Sequence, residues 1–209
     1  MENLNTITVK TSELIASLKH VLASRAKFEK YNLLSNVVLK VVNDVMIEFV
    51  ATDGNMLAID RIGLVETMAS DFIGNKYILT NCDNLLKILD KKIKTTCIDL
   101  STLKVSQYNN EFKLLQDINS NYPKYEQLIQ NYNEDSLQNI NYSNDDNIIK
   151  IAFNREYLKQ ILSNMEKTKT EIVTMGIVKE GSTSLHPLMI NNKDTEYLQF
   201  NLLMPMLLR

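Results

Sequence analysis

One arrangement, a strand, a helix and then three strands, recurs three times along the chain at a spacing of roughly sixty residues. Such a repeat constrains the fold more than any single element, because a lone unit of this size cannot bury its own apolar faces. The first copy opens with "ITVKTSELIASLKHVLAS", where Ile7 and Val9 alternate as in a strand. Ser12 is placed to cap a helix that carries Leu14, Ile15, Leu18, Val21 and Leu22 on one face. Strand-like runs follow in "NLLSNVVLKVV", "DVMIEFVAT" and "MLAIDRIGLV". The second copy begins at "KYILTNCDNLLKILDKKIK": Tyr77 and Leu79 mark a strand, and Asn81 or Asp83 caps a helix burying Leu85, Leu86, Leu89 and Ile93. Its strands are "TTCIDLS", "LKVSQYN" and "EFKLLQDI". In the third, "IIKIAFNREYLKQILSNMEK", Ile149, Ile151 and Phe153 alternate, Asn154 caps, and Tyr157, Leu158, Ile161, Leu162 and Met165 line a helix. Then come "EIVTMGIV", "HPLMIN" and "YLQFNLLMPM".

The expected class is therefore α+β, with three βαβββ units. Residues 1–130 form one complete two-unit domain (units about 6–66 and 76–130), 131–147 a polar Asn/Asp-rich linker, and 148–209 a half domain. A hydrophobic share of 44% is enough for a core. No apolar run is long enough to span a bilayer, and no basic segment leads into an apolar one at the N-terminus. Cys82 and Cys97 lack metal or redox spacing and read as reduced thiols, so a cytoplasmic location is expected. The apolar ending "FNLLMPMLLR" must pack, as a last strand, against a partner or as a pocket wall.

The polar faces of the helices lean basic. The second carries Asn84, Lys87, Lys91 and Lys94 at spacings of three and four; the third carries Arg155, Lys159 and Ser163. The first offers Lys19 and His20, with Arg25 and Lys27 just beyond. Against a net charge of -2 this concentrates positive charge on one kind of surface. It is either solvated decoration or a face for double-stranded DNA, bound through phosphates without regard to sequence and weakened by salt. Neither His20 nor His186 has a carboxylate or cysteine at ligand spacing, so no metal or other cofactor is expected. Asp53 and Asp60 flank a turn with no partner base, and no nucleophile–base set is evident, so the chain is not read as an enzyme.

Specific motifs extend this reading. "VATDGNMLAID" resembles the "ATDG-x-x-LA" signature of the bacterial sliding clamp, the DNA polymerase III beta subunit. "NYPKYEQLIQ" is similar to that family's "FPDY" segment, "FNREYLKQIL" to its "FN-x-x-Y" helix start, "HPLMI" to its late strand and "LLMPMLLR" to its "VMPMRL" ending. The order of these segments matches across nearly the whole chain. The resemblance implies the DNA-clamp fold. It also implies that 6–66 and 76–130 correspond to the family's middle domain and 148–209 to the second half of its last. Family rings place twelve units around a duplex, so three per chain implies a homotetramer.

The resemblance further implies a pocket for short apolar motifs carried by polymerases, the clamp loader and repair proteins. Its counterparts here are Leu34, Thr52, Gly54, Asn55, Met56, Leu57, Pro123, Gln127, Leu128, Asn154, Tyr157, Leu185, Pro187, Leu202, Leu203, Met204, Pro205, Met206 and Leu207. The DNA-facing counterparts are Lys19, His20, Lys87, Lys91, Lys94, Arg155 and Lys159. Asn55 and Met56 stand where His-Arg is usual, Gln127 where Arg is common and Leu207 in place of a basic residue, so a greasier, less basic pocket is expected. Met204 would pair into the last strand, and Met204, Pro205 and Met206 would line the pocket with adaptable thioethers. Each feature also has a plainer reading: Asp53-Gly54 as a simple hairpin turn, Met204 and Met206 as core, Tyr157 as packing, Pro123 and Pro187 as strand-edge punctuation. The implied function is a DNA-encircling processivity factor that tethers replication or repair proteins. The alternative is a clamp-like decoy or regulator that captures clamp-binding peptides without encircling DNA.

Overall fold

A computed structural model describes residues 6–27, 33–68, 70–102, 104–107, 110–113, 115–117, 122–126, 153–166, 173–177, 188–192 and 199–204. The first unit is β1 (Thr6–Lys10), α1 (Thr11–Leu22), β2 (Val37–Asn43), β3 (Met46–Thr52) and β4 (Met56–Gly63). The second is β5 (Lys76–Leu79), α2 (Cys82–Ile88), β6 (Thr95–Asp99), β7 (Lys104–Gln107) and β8 (Asn110–Lys113), followed by β9 (Leu115–Asp117). The remaining described elements, in the span expected of a third unit, are α3 (Arg155–Glu166), β10 (Val173–Ile177), β11 (Leu188–Asn192) and β12 (Gln199–Leu203). The expected strand at Ile149 and Ile151, and the linker 131–147, lie outside the described residues.

All pairings are antiparallel, in a four-stranded sheet ordered β1-β6-β7-β8 and an eight-stranded sheet ordered β10-β11-β12-β4-β3-β2-β5-β9. The first two units exchange their opening strands. β1 pairs with β6 of the second unit, Ile7 opposite Ile98, while β5 pairs with β2 of the first, Leu79 opposite Val37. Each unit thus supplies an edge that the other needs, and neither closes alone. The expected single strand "EFKLLQDI" is in fact two: β8 belongs to the smaller sheet and β9 pairs with β5 in the larger. β12 continues the larger sheet from β4, with Leu202 opposite Leu57 and Leu203 opposite Met56. The described strands of the expected half domain therefore share a sheet with the first unit.

Strand alternation divides the larger sheet into two buried faces. On one, Leu14, Leu18 and Val21 of α1 pack with Val37, Leu39, Ile47 and Phe49, and the core runs on to Leu85 of α2 and Ile98 of β6. Full burial of each such side chain contributes about 1.5–3 kcal/mol. Beside this core, α3 sets Ile161, Tyr157, Leu158 and Leu162 against Met56, Leu188, Ile190 and Leu203. On the opposite face, Tyr122 and Tyr125 cover Val38, Val50, Leu57, Ile59, Met189 and Leu202, with Leu34 at the margin. The Tyr125 hydroxyl donates to Glu48 Oε1 at 3.1 Å and Arg61 Nε donates to Glu48 Oε2 at 2.8 Å, so the buried carboxylate is paired on both oxygens. Burial, then the charge of Glu48, holds the Tyr125 hydroxyl well above the ordinary tyrosine range.

Two helix expectations are corrected. α1 begins at Thr11 rather than after Ser12; Lys10 occupies the cap without a side-chain bond, Ser12 is exposed, and buried Thr11 Oγ1 meets Thr96 Oγ1 at 2.9 Å. α2 spans only 7 residues, with Asn81 at its cap in a left-handed conformation, φ 55°. It stops because Gln107 of β7 pairs with the next backbone: Asp90 N–H donates to Gln107 Oε1 at 2.8 Å and Gln107 Nε2 donates to the Asp90 carbonyl at 3.1 Å. Ile93, Lys91 and Lys94 consequently lie beyond the helix.

Candidate functional site

The site grows from the β3–β4 turn. Asp53 Oδ1 accepts from the backbone N–H of Asn55 and of Met56, both at 2.8 Å. Thr52 Oγ1 donates to the Met56 carbonyl at 2.6 Å and accepts from Gly54 N–H at 3.1 Å. Gly54 turns the chain at φ +91°, a conformation that side chains resist. The Thr-Asp-Gly run is thus a self-bonded hairpin turn, and it also presents Asn55 and Met56 to the third unit.

Alternation past the turn separates the predicted pocket residues. Met56 points to the face of α3 and Leu57 to the opposite face. Asn55, Met56 and Tyr157 line a hollow of about 230 Å³ together with Arg25, Ala26, Lys27, Asp53 and Gln160. Leu34, Leu57 and Leu202 belong instead to the cluster under Tyr122, with Thr52 opposite Leu57 and Pro123 exposed nearby in sequence. Leu203 is fully buried beneath α3. Gln127, Leu128, Leu185, Pro187, Pro205, Met206 and Leu207 lie outside the described residues.

A narrow seam joins the two sides. Asn55 Nδ2 donates to the Tyr157 hydroxyl at 3.5 Å, and Met204 N–H donates to the Asn55 carbonyl at 2.9 Å. Met204 follows β12 rather than pairing within it, and the residue is 39% exposed, a large apolar group at the end of the strand. Ala26 N–H donates to the Leu34 carbonyl at 2.9 Å, tying a hollow-lining residue to the opposite cluster. Asn154 acts as a cap: its Oδ1 accepts from Glu156 N–H at 2.9 Å, satisfying an orphan donor of α3. The Gln160 amide donates to the Ala23 carbonyl and fastens α3 to the end of α1.

Cations return to the hollow from an unexpected element. The segment after α1 brings Arg25 and Lys27 to its lining, beside Asn55 and Met56. Arg25 Nη2 also bonds Asp83 Oδ2 at 2.5 Å, linking the segment to α2. Sequence reading had placed Arg25 and Lys27 only beside the helix, and it missed Ala26, Asp53 and Gln160 as lining. The spacing of Gln160 three residues after Tyr157 was the available signal.

Of the predicted DNA-facing residues, Lys19, Lys87, Arg155 and Lys159 are exposed on helices, and Lys91 and Lys94 are exposed beyond α2. Arg155 is shared with Glu156, at 2.9 Å. His20 is a correction: it is 2% exposed, with Nδ1 3.2 Å from Asp60 Oδ2 and Nε2 3.2 Å from Asn201 Oδ1. α1 touches α3 as well as the sheet, so its buried arc is wider than its apolar stripe, and His20 falls inside it. Burial pushes the Cys82 thiol up to about 12, which removes it as a nucleophile at neutral pH. Among the described residues no group of three or more His, Cys, Asp or Glu is placed to hold a metal ion, and no helix is long and apolar enough to cross a membrane.

No known family model and no curated protein matches the sequence. Solved structures do match. The DNA polymerase III beta subunit of Thermotoga maritima superposes with a TM-score of 0.71 at 20% identity, over 98% of this chain and 66% of its own. The sliding clamp of Bacillus subtilis gives 0.69 at 17% identity, over 98% and 64%. A Pseudomonas aeruginosa sliding clamp solved with griselimycin bound gives 0.67 at 16%, over 97% and 65%. The chain spans about two thirds of the length of these proteins, and at such identities what is shared is the fold: this chain folds as a sliding clamp does.

Proposed function

We propose that the protein is a shortened sliding-clamp module that assembles into a homotetrameric ring around double-stranded DNA and tethers a polymerase, clamp loader or repair protein there. The observation that carries this reading is the clamp-like path of the backbone over 98% of the chain. The exposed Lys19, Lys87 and Lys159 on the helices supply weak phosphate attraction, which suits movement along a duplex better than tight contacts would. Partners dock by short apolar motifs at the seam where Met204, Asn55 and Tyr157 meet. That a Pseudomonas aeruginosa clamp binds griselimycin supports a ligand site on this fold. The role is non-enzymatic, takes no cofactor and is exercised in the cytoplasm.

Light scattering and DNA retention test it together. The expected result is a species of four chains that stays on nicked circular DNA at high salt and is lost when the circle is cut. A second reading is a decoy that captures clamp-binding peptides without encircling DNA. A monomer that binds such peptides but leaves circular and linear DNA alike would establish the decoy and refute the ring.

A further inference from the structure

We propose that a second copy of this chain completes the expected third unit by reciprocal strand exchange: β10 of each chain receives, antiparallel, the strand-patterned stretch at Ile149 and Ile151 of the other. The proposal rests on the multi-chain reading above and names one of its contacts. The first two units supply the rule. The opening strand of each pairs with the first strand after the helix of the other, β1 with β6 and β5 with β2, both antiparallel. Neither opening strand joins the sheet of its own later strands. By that rule β10, the first described strand after α3, is an acceptor. It ends the larger sheet, and among the described residues it pairs only with β11. β1 and β5 are already committed, so the opening stretch still to be placed is that of the third unit itself. The rule sends it to a different unit, that of another copy, and a two-fold axis makes the two contacts identical.

Two further observations mark the same place. Exposed sheet edges are ordinarily guarded by charge, by shortness or by a covering segment. β8 carries exposed Glu111 and Lys113, and β9 has only 3 residues, one of them Asp117. β1 is covered through the Val9–Leu64 bridge and the Val65 N–H, which donates to the Thr8 carbonyl at 2.8 Å. β10, "VTMGI", has no charged residue. The helices differ in the same sense. Leu14, Leu18 and Val21 of α1 are fully buried, in a core closed from beyond by Ile7, Ile98 and Val105 of the smaller sheet. The core under α3 draws only on α3 and the larger sheet, and Leu158 and Leu162 stay half-buried. A second copy brings the missing cover.

Cysteine cross-linking of the full chain decides it. Ile151→Cys is mixed with chains carrying one cysteine at each of the 5 positions of β10 in turn, and the mixtures are oxidised. A disulfide needs Cα atoms within about 7 Å, so the expected result is an inter-chain link whose yield peaks at one β10 position, roughly fivefold above the parent chain with its Cys82 and Cys97. Ile149→Cys is the second donor should Ile151→Cys fail to fold, as judged by circular dichroism. A uniformly low yield along β10 overturns the exchange. So does a variant carrying both cysteines that links within one chain at high dilution. Light scattering then separates the two readings: four-chain particles without the link leave the ring standing and remove this contact, whereas a monomer removes both.

Discussion

The first two units share an order of elements and differ in their helices. α1 runs for 12 residues and is held on several sides: to the sheet by Leu14 and Leu18, to Asp60 and Asn201 by His20, and to α3 through Ala23 and Gln160. α2 runs for 7 and is cut short by Gln107. Helix length here follows what meets each helix end rather than how far the apolar period extends, since Leu89 and Ile93 continue that period past Ile88. The consequence is a division of labour. The first unit anchors the third, and the second completes the first by exchanging strands with it.

Core truncations break this comparison most forcefully. Leu18→Ala removes a fully buried side chain from the helix bound on several sides and is expected to cost about 4 kcal/mol, whereas Leu85→Ala on the short helix costs about 2–3 kcal/mol because its surroundings can close in. Urea unfolding measures both, and equal losses would mean that the two helices anchor equally. His20→Ala comes next, at about 2–3 kcal/mol, since it strips hydrogen-bond partners from buried Asp60 and Asn201. Its distinguishing readout is faster amide exchange in β12 with α2 unchanged; a uniform rise would deny the specific link between first and third units. Gln107→Ala costs about 1–2 kcal/mol by removing a buried amide that is hydrogen-bonded to the Asp90 backbone. It is also expected to let α2 grow past Ile88, visible as helical carbon shifts at Leu89 and Asp90.

Most of the fold was legible because it rests on local signals. Alternation at Ile7 and Val9, the Leu14–Leu18–Val21 stripe, the Asp-Gly turn and the Asn154 cap each depend on a few neighbouring residues, and each stands where the period placed it. What failed were features decided by residues far away in the chain. Gln107 ends a helix 17 positions before it, counted from Asp90. Asp60 and Asn201, lying 40 and 181 positions from His20, turn an apparently surface histidine into a buried joint. The site was half legible for the same reason. The resemblance identified Asn55, Met56 and Tyr157, but the sheet alternation that sends Leu57 and Leu202 to the other face, and the return of Arg25 and Lys27, depend on how the first and third units meet.

The smallest expected effect separates the units by pH. Each turns between its first two sheet strands on an Asx side chain: Asn43 Oδ1 accepts from Val45 N–H at 3.0 Å between β2 and β3, and Asp99 does the same work between β6 and β7. Asp99 Oδ1 accepts from Ser101 N–H at 2.9 Å, Ser101 Oγ at 2.7 Å and Thr102 N–H at 3.0 Å. Partial burial pushes this carboxyl up, but the Ser101 and Thr102 donors outweigh it and hold it at about 2, against an ordinary 3.8. Because the folded value is the lower one, the stabilisation is complete above the ordinary value and drains away as pH falls through about 2. Asn43 cannot titrate, so the first unit lacks this dependence. Ser101→Ala should therefore cost about 0.5–1 kcal/mol at pH 5 and progressively less as pH falls from 4 towards 2. Asp99→Asn should flatten the stability curve over the same window by converting the second turn to the chemistry of the first. Urea midpoints at half-unit pH steps measure both, and a Ser101→Ala cost that stays constant down to pH 2.5 would show that the serine supports the turn through packing rather than through the charge of Asp99.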